Sequence, residues 1–299
     1  MIKVGLVDFD TSHVVQFTKR FNHLDIEEDQ WVEGAQVVAG CPGQSRHSPE
    51  RVPEYTEQLK AYGVEIVEKP ENLIGKIDAV CIESNDGTVH LERATPFVEA
   101  GIPCYIDKPL EISLENAKQI MRLAQKHSVP TFSSSSLRFC PEVQDVLSDE
   151  SVGQILSANA YSPASEHAIN PGLFNYGIHG VEILYTLMGQ GCTKLSCAYT
   201  EGGEVVTGFW GDERLGVMRG TRAGAHSYGF TVWGDKGVKQ SGISTQFIYR
   251  ELCKEIVKMF ETGETPIDPL ITLEIVAFID AAIKSREQNG AWVDLDLSL

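Results

Sequence analysis

The sequence predicts an α/β protein of two domains, a doubly wound parallel sheet followed by an α+β domain with a large, mostly antiparallel sheet. Over residues 1–132, short runs rich in Val and Ile alternate with longer stretches of helical spacing, as in strands joined by crossover helices. From residue 133 to 299, strand-like segments follow one another across short Gly-rich turns. The length of 299 residues suits two domains that each bury a core.

Six strands are predicted in the first domain, with helices between them. They lie at Lys3–Asp8, Gln36–Gly40, Glu65–Val67, Asp78–Glu83, Pro103–Ile106 and Pro130–Ser133. The clearest helix covers 114–126, where Ser113 can cap the start and apolar residues from Ala117 to Ala124 recur at the spacing of one buried face.

The second predicted domain begins with a helix near Gly180–Met188. Four strands follow near residues 194–200, 204–210, 215–221 and 228–233. Two further helices, near 247–261 and 273–284, precede a last strand at Trp292–Leu295. Short turns such as 201–203 join the strands, which favours antiparallel neighbours.

The charge balance excludes several classes of partner. Lys and Arg number 25 and Asp and Glu 42, so the net charge of −17 would repel a nucleic acid backbone. No apolar run approaches the roughly 20 residues that cross a bilayer, and residues 2–7 have the pattern of a strand rather than a signal peptide. We therefore expect a cytoplasmic protein with no membrane partner. Seven cysteines without a CxxC pair predict neither disulfides nor a zinc cluster, and no metal site is predicted.

The turn after the first strand departs from the dinucleotide-binding pattern. That pattern places three glycines here, so that backbone can approach a pyrophosphate. This chain has Asp8, Asp10 and His13 at those positions. Because a carboxylate beside a pyrophosphate is unfavourable, a cofactor is either held elsewhere along the loop or the acidic side chains point away from it. Asp10 or Thr11 can alternatively cap the following helix.

A different activity is also compatible with this turn. An apolar strand that ends in Asp-x-Asp-x-Ser resembles the first motif of haloacid-dehalogenase-type phosphatases. That resemblance implies Asp8 as nucleophile, Asp10 as general acid/base and magnesium as partner. Such a site also needs a lysine and more carboxylates at later strand ends, where Glu83, Asp86 and Asp107 form no recognisable acidic pair.

The second strand also lacks the acidic residue that usually binds the ribose of NAD. It ends instead in residues 39–46, which include Ser45 and Arg46, with Arg51 shortly after. These side chains could meet the 2′-phosphate of NADP, so the cofactor is expected to be NAD or NADP.

Several segments, in the right order along nearly the whole chain, resemble one enzyme family. Residues 101–110, with Asp107-Lys108-Pro109, resemble the Glu-Lys-Pro segment of the glucose-fructose oxidoreductase, inositol dehydrogenase and MocA family (Gfo/Idh/MocA). The other similar segments are residues 77–90, 136–141, 175–182 and 231–237. The resemblance implies a Rossmann-like first domain, a second domain for substrate binding and oligomerisation, and an active site in the crevice between them.

The family resemblance also implies a reaction and its catalytic residues. Members transfer hydride between a nicotinamide cofactor and a hydroxyl-bearing carbon, commonly of a sugar or cyclitol. Lys108 would be the catalytic lysine and His179 the proton-transfer residue, with Asn175 in place of the family's aspartate. This is reasonable chemistry, because His exchanges protons near neutral pH and a lysine ammonium stabilises a developing alkoxide. Pro109 fixes the chain after Lys108 and could be cis.

The remaining expected contacts follow from strand ends and from the resemblance. The cofactor is expected to contact Asp10, Thr11, Ser12, His13, Ser45, Arg46, Ser84, Asn85, His90 and Asp107. The substrate, a small polyhydroxylated molecule, is expected to contact Arg138, Tyr176 and Glu182. His90 could instead fix a loop, and a homodimer or homotetramer is implied.

Four departures from the family leave a second class of function open. The chain lacks the glycines and the ribose acid, and it carries Asp107 for Glu and Asn175 with Glu182 for two aspartates. Loss of a carboxylate at 175 removes a group that could orient His179. A non-catalytic or non-redox ligand-binding protein on the same fold is therefore the alternative to a dehydrogenase.

Overall fold

A computed structural model of the protein describes residues 1–297. The described chain forms two units, each built on its own sheet. The first unit comprises residues 1–111, 115–134 and 249–268, and the second comprises the rest of the described chain.

The first unit contains a six-stranded sheet in the order β3-β2-β1-β4-β5-β6, with every neighbouring pair parallel. The strands are β1 (Ile2–Val7), β2 (Ala35–Cys41), β3 (Glu65–Ile66), β4 (Ala79–Ile82), β5 (Cys104–Ile106) and β6 (Thr131–Ser133). The helices between them are α1 (His13–Phe21), α2 (Arg51–Ala61), α3 (His90–Glu99) and α4 (Leu114–His127). All six predicted strands are present, and the predicted doubly wound parallel sheet is confirmed.

The strand order reverses between β1 and β4, which sets the place of the ligand-binding edge in such sheets. Val7 pairs with Ile82 and Ile82 pairs with Ile106, so the three central strands end in register. The residues that follow these strands therefore emerge side by side at the carboxyl edge.

The second unit contains a seven-stranded sheet in the order β12-β11-β7-β10-β9-β8-β13. Its strands are β7 (Ile155–Pro163), β8 (Cys192–Thr200), β9 (Gly203–Trp210), β10 (Leu215–Thr221), β11 (Gly229–Gly234), β12 (Val238–Gly242) and β13 (Val293–Asp294). Every pair is antiparallel except β7 with β10, so the predicted mostly antiparallel sheet is confirmed. The helices are α5 (Pro141–Leu147), α6 (Ile178–Met188) and α8 (Pro269–Glu287), and α7 (Ile248–Thr262) lies almost wholly in the first unit.

The position of α7 differs from the contiguous division at 132 and 133 that the sequence suggested. Leu252, Cys253 and Ile256 of this helix are fully buried. The Tyr249 ring lies 5.0 Å from that of His13 and 6.2 Å from that of Phe17 on α1. A helix with one apolar face joins the core that covers that face, and α7 groups with the first unit, where Tyr249 packs on α1.

Two strands had no clear signal in the sequence. The residues that β7 buries include Ala158, Ala160 and Ser162, which are too small or polar to form an apolar run, and β12 at the sheet edge has no buried residue. All seven cysteines are unpaired and buried. Over residues 1–297, no helix combines the length and the apolar character of a membrane span.

Candidate active site

Three side chains meet at the carboxyl edge of the first sheet. Glu83 follows β4, Asp107 follows β5 and His13 is the first residue of α1. Glu83 and Asp107 are fully buried and His13 is 6% exposed. The Nδ1 atom of His13 lies 3.0 Å from Oδ2 of Asp107 and 3.6 Å from Oε2 of Glu83. These three residues are called the edge cluster below.

The three groups shift one another's protonation. Burial raises the pKa of Glu83 to about 7, helped by the charge of Asp107 and opposed by that of His13. Burial acts in the same direction on Asp107, but the charges of His13 and Lys108 outweigh it and hold its pKa at about 2. Burial lowers the pKa of His13, yet the Asp107 charge keeps it well above the usual value. His13 and Asp107 therefore form an ion pair beside Glu83, whose pKa is close to neutral pH.

The acidic side chains of the turn after β1 have partners inside the first unit. Asp8 adopts a left-handed backbone with φ of 61°, a conformation for which glycine is the usual choice, and its Oδ2 accepts a hydrogen bond from Nε of Arg93 at 3.0 Å. Asp10 accepts hydrogen bonds from Oγ of Ser45 at 2.5 Å and from the backbone N–H of Asn85 at 2.8 Å. Both carboxylates are buried. Both therefore point into the first unit and away from solvent.

Asp8 makes stability depend on pH. Burial raises its pKa to about 6, with Asp10 adding to the shift and Arg93 and His90 opposing it. A raised folded-state pKa contributes stability that is present below the unfolded value of 3.8 and is lost as pH rises through about 6. We expect ionisation of Asp8 to remove about 2 kcal/mol from the free energy of unfolding between pH 4 and pH 7. Urea unfolding of wild type and Asp8→Asn at both pH values should show the variant gaining that amount relative to wild type.

The matched control is Asp280→Asn, which changes a half-exposed aspartate of α8 that pairs with Lys284 on the surface. Such surface pairs contribute little to stability, so this variant should follow wild type at both pH values. Equal behaviour of the Asp8 and Asp280 variants would contradict the assignment of the pH dependence to Asp8.

The residues expected to meet a 2′-phosphate are engaged with neighbouring side chains. Arg46 donates from Nε to Asp86 at 2.9 Å and from its second terminal nitrogen to Thr88 at 2.6 Å. Ser45 donates to Asp10 and accepts from the backbone N–H groups of His47 and Ser48. The hydrogen bonds of Ser45 and Arg46 thus connect the loop after β2 to the turn after β1 and to the loop after β4.

His90 and Asn85 fasten the loop after β4. The His90 ring is fully buried, with Nδ1 2.9 Å from the carbonyl of Pro109 and Nε2 3.0 Å from the carbonyl of Ser84. Asn85 donates from Nδ2 to the carbonyl of Asp10 at 2.8 Å. His90 was expected to contact the cofactor, with loop fixing as the alternative, and its contacts are those of a loop-fixing residue.

Lys108 lies directly after the edge cluster in the chain. The side chain is 8% exposed, and the Lys108–Pro109 bond is cis. The Lys108 backbone N–H donates to Oδ1 of Asp107 at 2.8 Å, which fixes the strand end. The lysine charge is close enough to lower the pKa values of Glu83 and Asp107. A lysine in a largely buried position, with its charge acting on two carboxyl groups, is the kind of residue that can stabilise negative charge on a reacting oxygen.

A hydrogen-bond network in the second unit holds His179. Nδ1 of His179 lies 2.7 Å from Oγ of Ser135, which also accepts the backbone N–H of Leu137 at 3.1 Å. The Ser135 backbone N–H donates to Oε1 of Glu182 at 3.2 Å. Glu182 accepts from Nε of Arg138 at 2.7 Å through its other oxygen, and both side chains are buried. The structure thus pairs Arg138 with Glu182, which were both expected to contact substrate, and makes them part of the support for His179.

Asn175, which stands where the family has an aspartate, is hydrogen-bonded to Ser165. Its Nδ2 donates to the carbonyl of Ser165 at 2.9 Å and to the Ser165 hydroxyl. The hydroxyl of Ser135 contacts the His179 ring, a role that the sequence did not indicate because 44 positions separate the two residues.

A hollow of about 650 Å³ lies beside His179 in the second unit. Tyr176 and Tyr228 line it, and both rings meet the His179 ring edge to face, at 5.1 and 5.9 Å. The other lining residues are Pro163, Ser165, Thr221, Arg222, His226, Ser227, Ile243 and Thr245. Hydroxyl groups and one guanidinium on an aromatic wall suit a small molecule with several polar groups.

The magnesium-dependent phosphatase finds no support in these contacts. A nucleophilic aspartate must reach a phosphorus atom, whereas Asp8 is 3% exposed and bonded to Arg93. Asp10, the implied general acid/base, is fully buried and bonded to Ser45 and Asn85.

Comparison with known proteins agrees with this architecture. Residues 32–135 match the family model described as the GFO_IDH_MocA oxidoreductase family, NAD-binding Rossmann fold. This segment of the first unit is thus similar to the NAD-binding part of the Gfo/Idh/MocA family. The match begins after β1 and the turn with Asp8, Asp10 and His13, the part of the unit that departs from the glycine pattern. No curated protein matches the chain by sequence.

Solved structures share the fold of the whole chain. The scyllo-inositol dehydrogenase of Lactobacillus casei, solved with NAD(H) and scyllo-inositol, has a TM-score of 0.81 at 16% identity, over 99% of each chain. The myo-inositol 2-dehydrogenase of Lactobacillus plantarum has a TM-score of 0.81 at 14% identity, also over 99% of each chain. At these identities the similarity shows the fold alone.

The residues of the first unit fit a nicotinamide dinucleotide. The two turn carboxylates have internal partners, and burial raises the pKa of both, so they present little negative charge to a pyrophosphate. Helix α1 has no acidic residue in its first turn, so its positive N-terminal end is not neutralised by the helix itself. Thr11 and Ser12 add hydroxyl groups at the same place.

Proposed function

We propose that the protein is an NAD(P)(H)-dependent oxidoreductase that acts on a hydroxyl-bearing carbon of a small polyhydroxylated molecule. The observation that carries the proposal is Lys108, a nearly buried ammonium that directly follows β5. It lies within the segment that matches the NAD-binding oxidoreductase family. The L. casei relative with this fold binds NAD(H) and scyllo-inositol, which supports a cyclitol or sugar as substrate.

The first unit would hold the dinucleotide. Backbone N–H groups at the start of α1, with the hydroxyls of Thr11 and Ser12, would bind the pyrophosphate. Ser84 and Asn85 would line the nicotinamide side. When bound, the nicotinamide supplies a hydride acceptor or donor.

The family resemblance implies proton transfer by His179 and charge stabilisation by Lys108. Oxidation of an alcohol carbon requires loss of the hydroxyl proton, and an imidazole is suited to accept it. The Ser135 hydroxyl holds the His179 ring at Nδ1, and the imidazole would exchange a proton with substrate. The Lys108 ammonium would stabilise the oxygen as its negative charge develops.

The direct test measures binding of NADH and of NADPH to the purified full chain by fluorescence titration. We expect a dissociation constant between about 1 μM and 1 mM for at least one of them, the range of ordinary enzyme ligands. Reduction of NAD⁺ or NADP⁺ with a panel of cyclitols, aldoses and hydroxy acids then identifies the substrate class. Absence of binding of either cofactor would remove the proposal.

A charged variant tests the pyrophosphate position. Ser12→Glu introduces a carboxylate at the start of α1, and we expect it to weaken NADH binding by about tenfold or more through repulsion. The matched control, Ser148→Glu, adds the same charge at an exposed position after α5 and should bind NADH as wild type does. Equal binding by both variants would place the pyrophosphate away from α1.

A non-catalytic ligand-binding protein is the second candidate. It is favoured by the contacts of Asn175, which bonds to Ser165 and leaves His179 without the carboxylate of the family pattern. This candidate predicts that a cyclitol or sugar binds to the full chain while neither nicotinamide cofactor does.

A further inference from the structure

We propose that His13, Glu83 and Asp107, the edge cluster, form a binding site for one divalent transition-metal ion. The ion is a group other than the dinucleotide, and its binding does not depend on hydride transfer. Three chain segments converge at the edge cluster, where one potential ligand atom from each residue lies within 4.8 Å of the other two.

The cluster contains polar atoms that lack hydrogen bonds. Among the residues that the structure describes, neither oxygen of Glu83 has a hydrogen-bond partner, although the side chain is fully buried. Nδ1 of His13 and Oδ2 of Asp107 contact each other as an ion pair at 3.0 Å without the alignment of a hydrogen bond. A buried carboxylate without donors is costly, so such a group requires an explanation.

Other buried glutamates in the chain are satisfied by donors. Glu182 accepts from Arg138 and the Ser135 backbone, and Glu274 accepts the backbone N–H groups of Gly191 and Cys192. Glu204 is bonded to Arg222. The bare oxygens of Glu83 are therefore a property of this cluster and not of buried glutamates in this fold.

The neighbours of Asp107 direct its second oxygen into the cluster. Oδ1 accepts the backbone N–H of Lys108 at 2.8 Å and lies 3.4 Å from the Tyr105 hydroxyl. This leaves Oδ2 facing His13. The His13 ring is stacked on Phe17 at 5.1 Å and meets the edge of Tyr249, so its orientation is also fixed. Metal ligands are characteristically held by such outer contacts.

The donor set and the spacing select the class of ion. An imidazole nitrogen with two carboxylates suits Zn²⁺ or Mn²⁺, whereas Ca²⁺ and Mg²⁺ prefer oxygen ligands only. Ligands about 2.1 Å from a tetrahedral metal are about 3.4 Å from one another. The distances from Nδ1 of His13 to the two carboxylates, 3.0 and 3.6 Å, bracket that value.

The charge of the filled site also balances. Two ionised carboxylates and a neutral imidazole, the ligand forms of the three groups, carry a net charge of −2 that is costly in a buried place without a cation. A divalent ion that replaces the imidazolium proton gives a sum of zero with both carboxylates ionised. The ion would connect α1, β4 and β5 at the edge of the sheet.

The test measures metal directly, on the full chain. Protein stripped with chelator and titrated with ZnCl₂ in a calorimeter should bind one ion per chain, and elemental analysis after gel filtration should give the same ratio. Glu83→Gln keeps the shape and removes one ligand, so we expect its affinity for Zn²⁺ to fall by about 100-fold or more. The matched control is Glu204→Gln, which changes a buried glutamate of the second unit and should bind Zn²⁺ as wild type does.

Two further measurements keep the result decisive if Glu83→Gln does not fold. Asp107→Asn should lose Zn²⁺ in the same way, and X-ray absorption of the zinc-loaded wild type should show imidazole and carboxylate ligands. A wild type without stoichiometric Zn²⁺, a zinc centre without imidazole, or a folded Glu83→Gln with unchanged affinity would each overturn the proposal. Binding of NADH enters none of these readouts, so failure of the proposed oxidoreductase would be seen separately.

Discussion

Lys108→Met should lower kcat/KM for hydride transfer by about 10³-fold or more. Methionine keeps much of the length and apolar character of the stem but removes the ammonium that would stabilise the substrate oxygen in the transition state. Loss of a single electrostatic group or proton-transfer group at a reacting oxygen commonly costs 10²- to 10⁴-fold, roughly the range expected here. The measurement is steady-state reduction of the nicotinamide cofactor with the best substrate of the panel.

The control for this variant is a second lysine with a buried side chain. Lys118 on α4 is 7% exposed, close to the 8% of Lys108, and lies outside the strand-end loops. Lys118→Met should retain activity within a few fold of wild type, and both variants should bind NADH. Equal activity of Lys108→Met and wild type would remove this lysine from the mechanism, whereas loss of activity in both would indicate a general effect of removing buried charge.

The parallel sheet was predictable because each of its strands is a short apolar run between helical stretches. The central strands β1, β4 and β5 have almost no polar residues, since parallel strands are covered on both faces. β7 and β12 were missed for the opposite reason. Small and polar residues fill β7, and β12 lies at an edge where no side chain is buried. Alternation is weak in such segments, so periodicity alone does not find them.

The edge cluster could not be predicted from spacing. Its members lie 70 and 24 positions apart in the chain, and only the register of β1, β4 and β5 brings them together. The positions of His13 and Asp107 after sheet strands are predictable from the sequence, and there they favour contact with a cofactor. Glu83 enters the sequence argument only as an acidic group that completes no phosphatase site. No metal site was predicted, because sequence spacing does not reveal buried oxygens without hydrogen-bond donors.

The same limitation applies to the surroundings of His179. The spacing of Asn175, His179 and Glu182 suggested one helical face, yet Asn175 precedes α6 and bonds to Ser165. Ser135, whose hydroxyl contacts His179, is one of four consecutive serines at residues 133–136, and the sequence does not distinguish it from the other three. Side-chain identity in a loop becomes informative only after the fold has placed the loop beside the helix.

Removal of one partner of the buried Arg138–Glu182 pair should be strongly destabilising. Glu182→Leu leaves the Arg138 guanidinium buried without a counter-charge and the Ser135 backbone N–H without its acceptor. Breaking a buried ion pair in this way costs about 3–5 kcal/mol in the free energy of unfolding. Arg138→Leu should cost a similar amount, because it leaves the Glu182 carboxylate unpaired. Urea unfolding of the two variants measures both values.

The double variant Arg138→Leu/Glu182→Leu separates the pair from the rest of the network. Because neither charge remains, we expect it to be less destabilised than the sum of the single variants by at least about 1 kcal/mol. The Ser135 N–H still lacks its acceptor, so the position of Nδ1 of His179 should remain disturbed, and kcat should stay low while stability partly returns. Additive losses of stability, or full recovery of kcat in the double variant, would contradict a network in which Glu182 stabilises Arg138 and, through Ser135, positions His179.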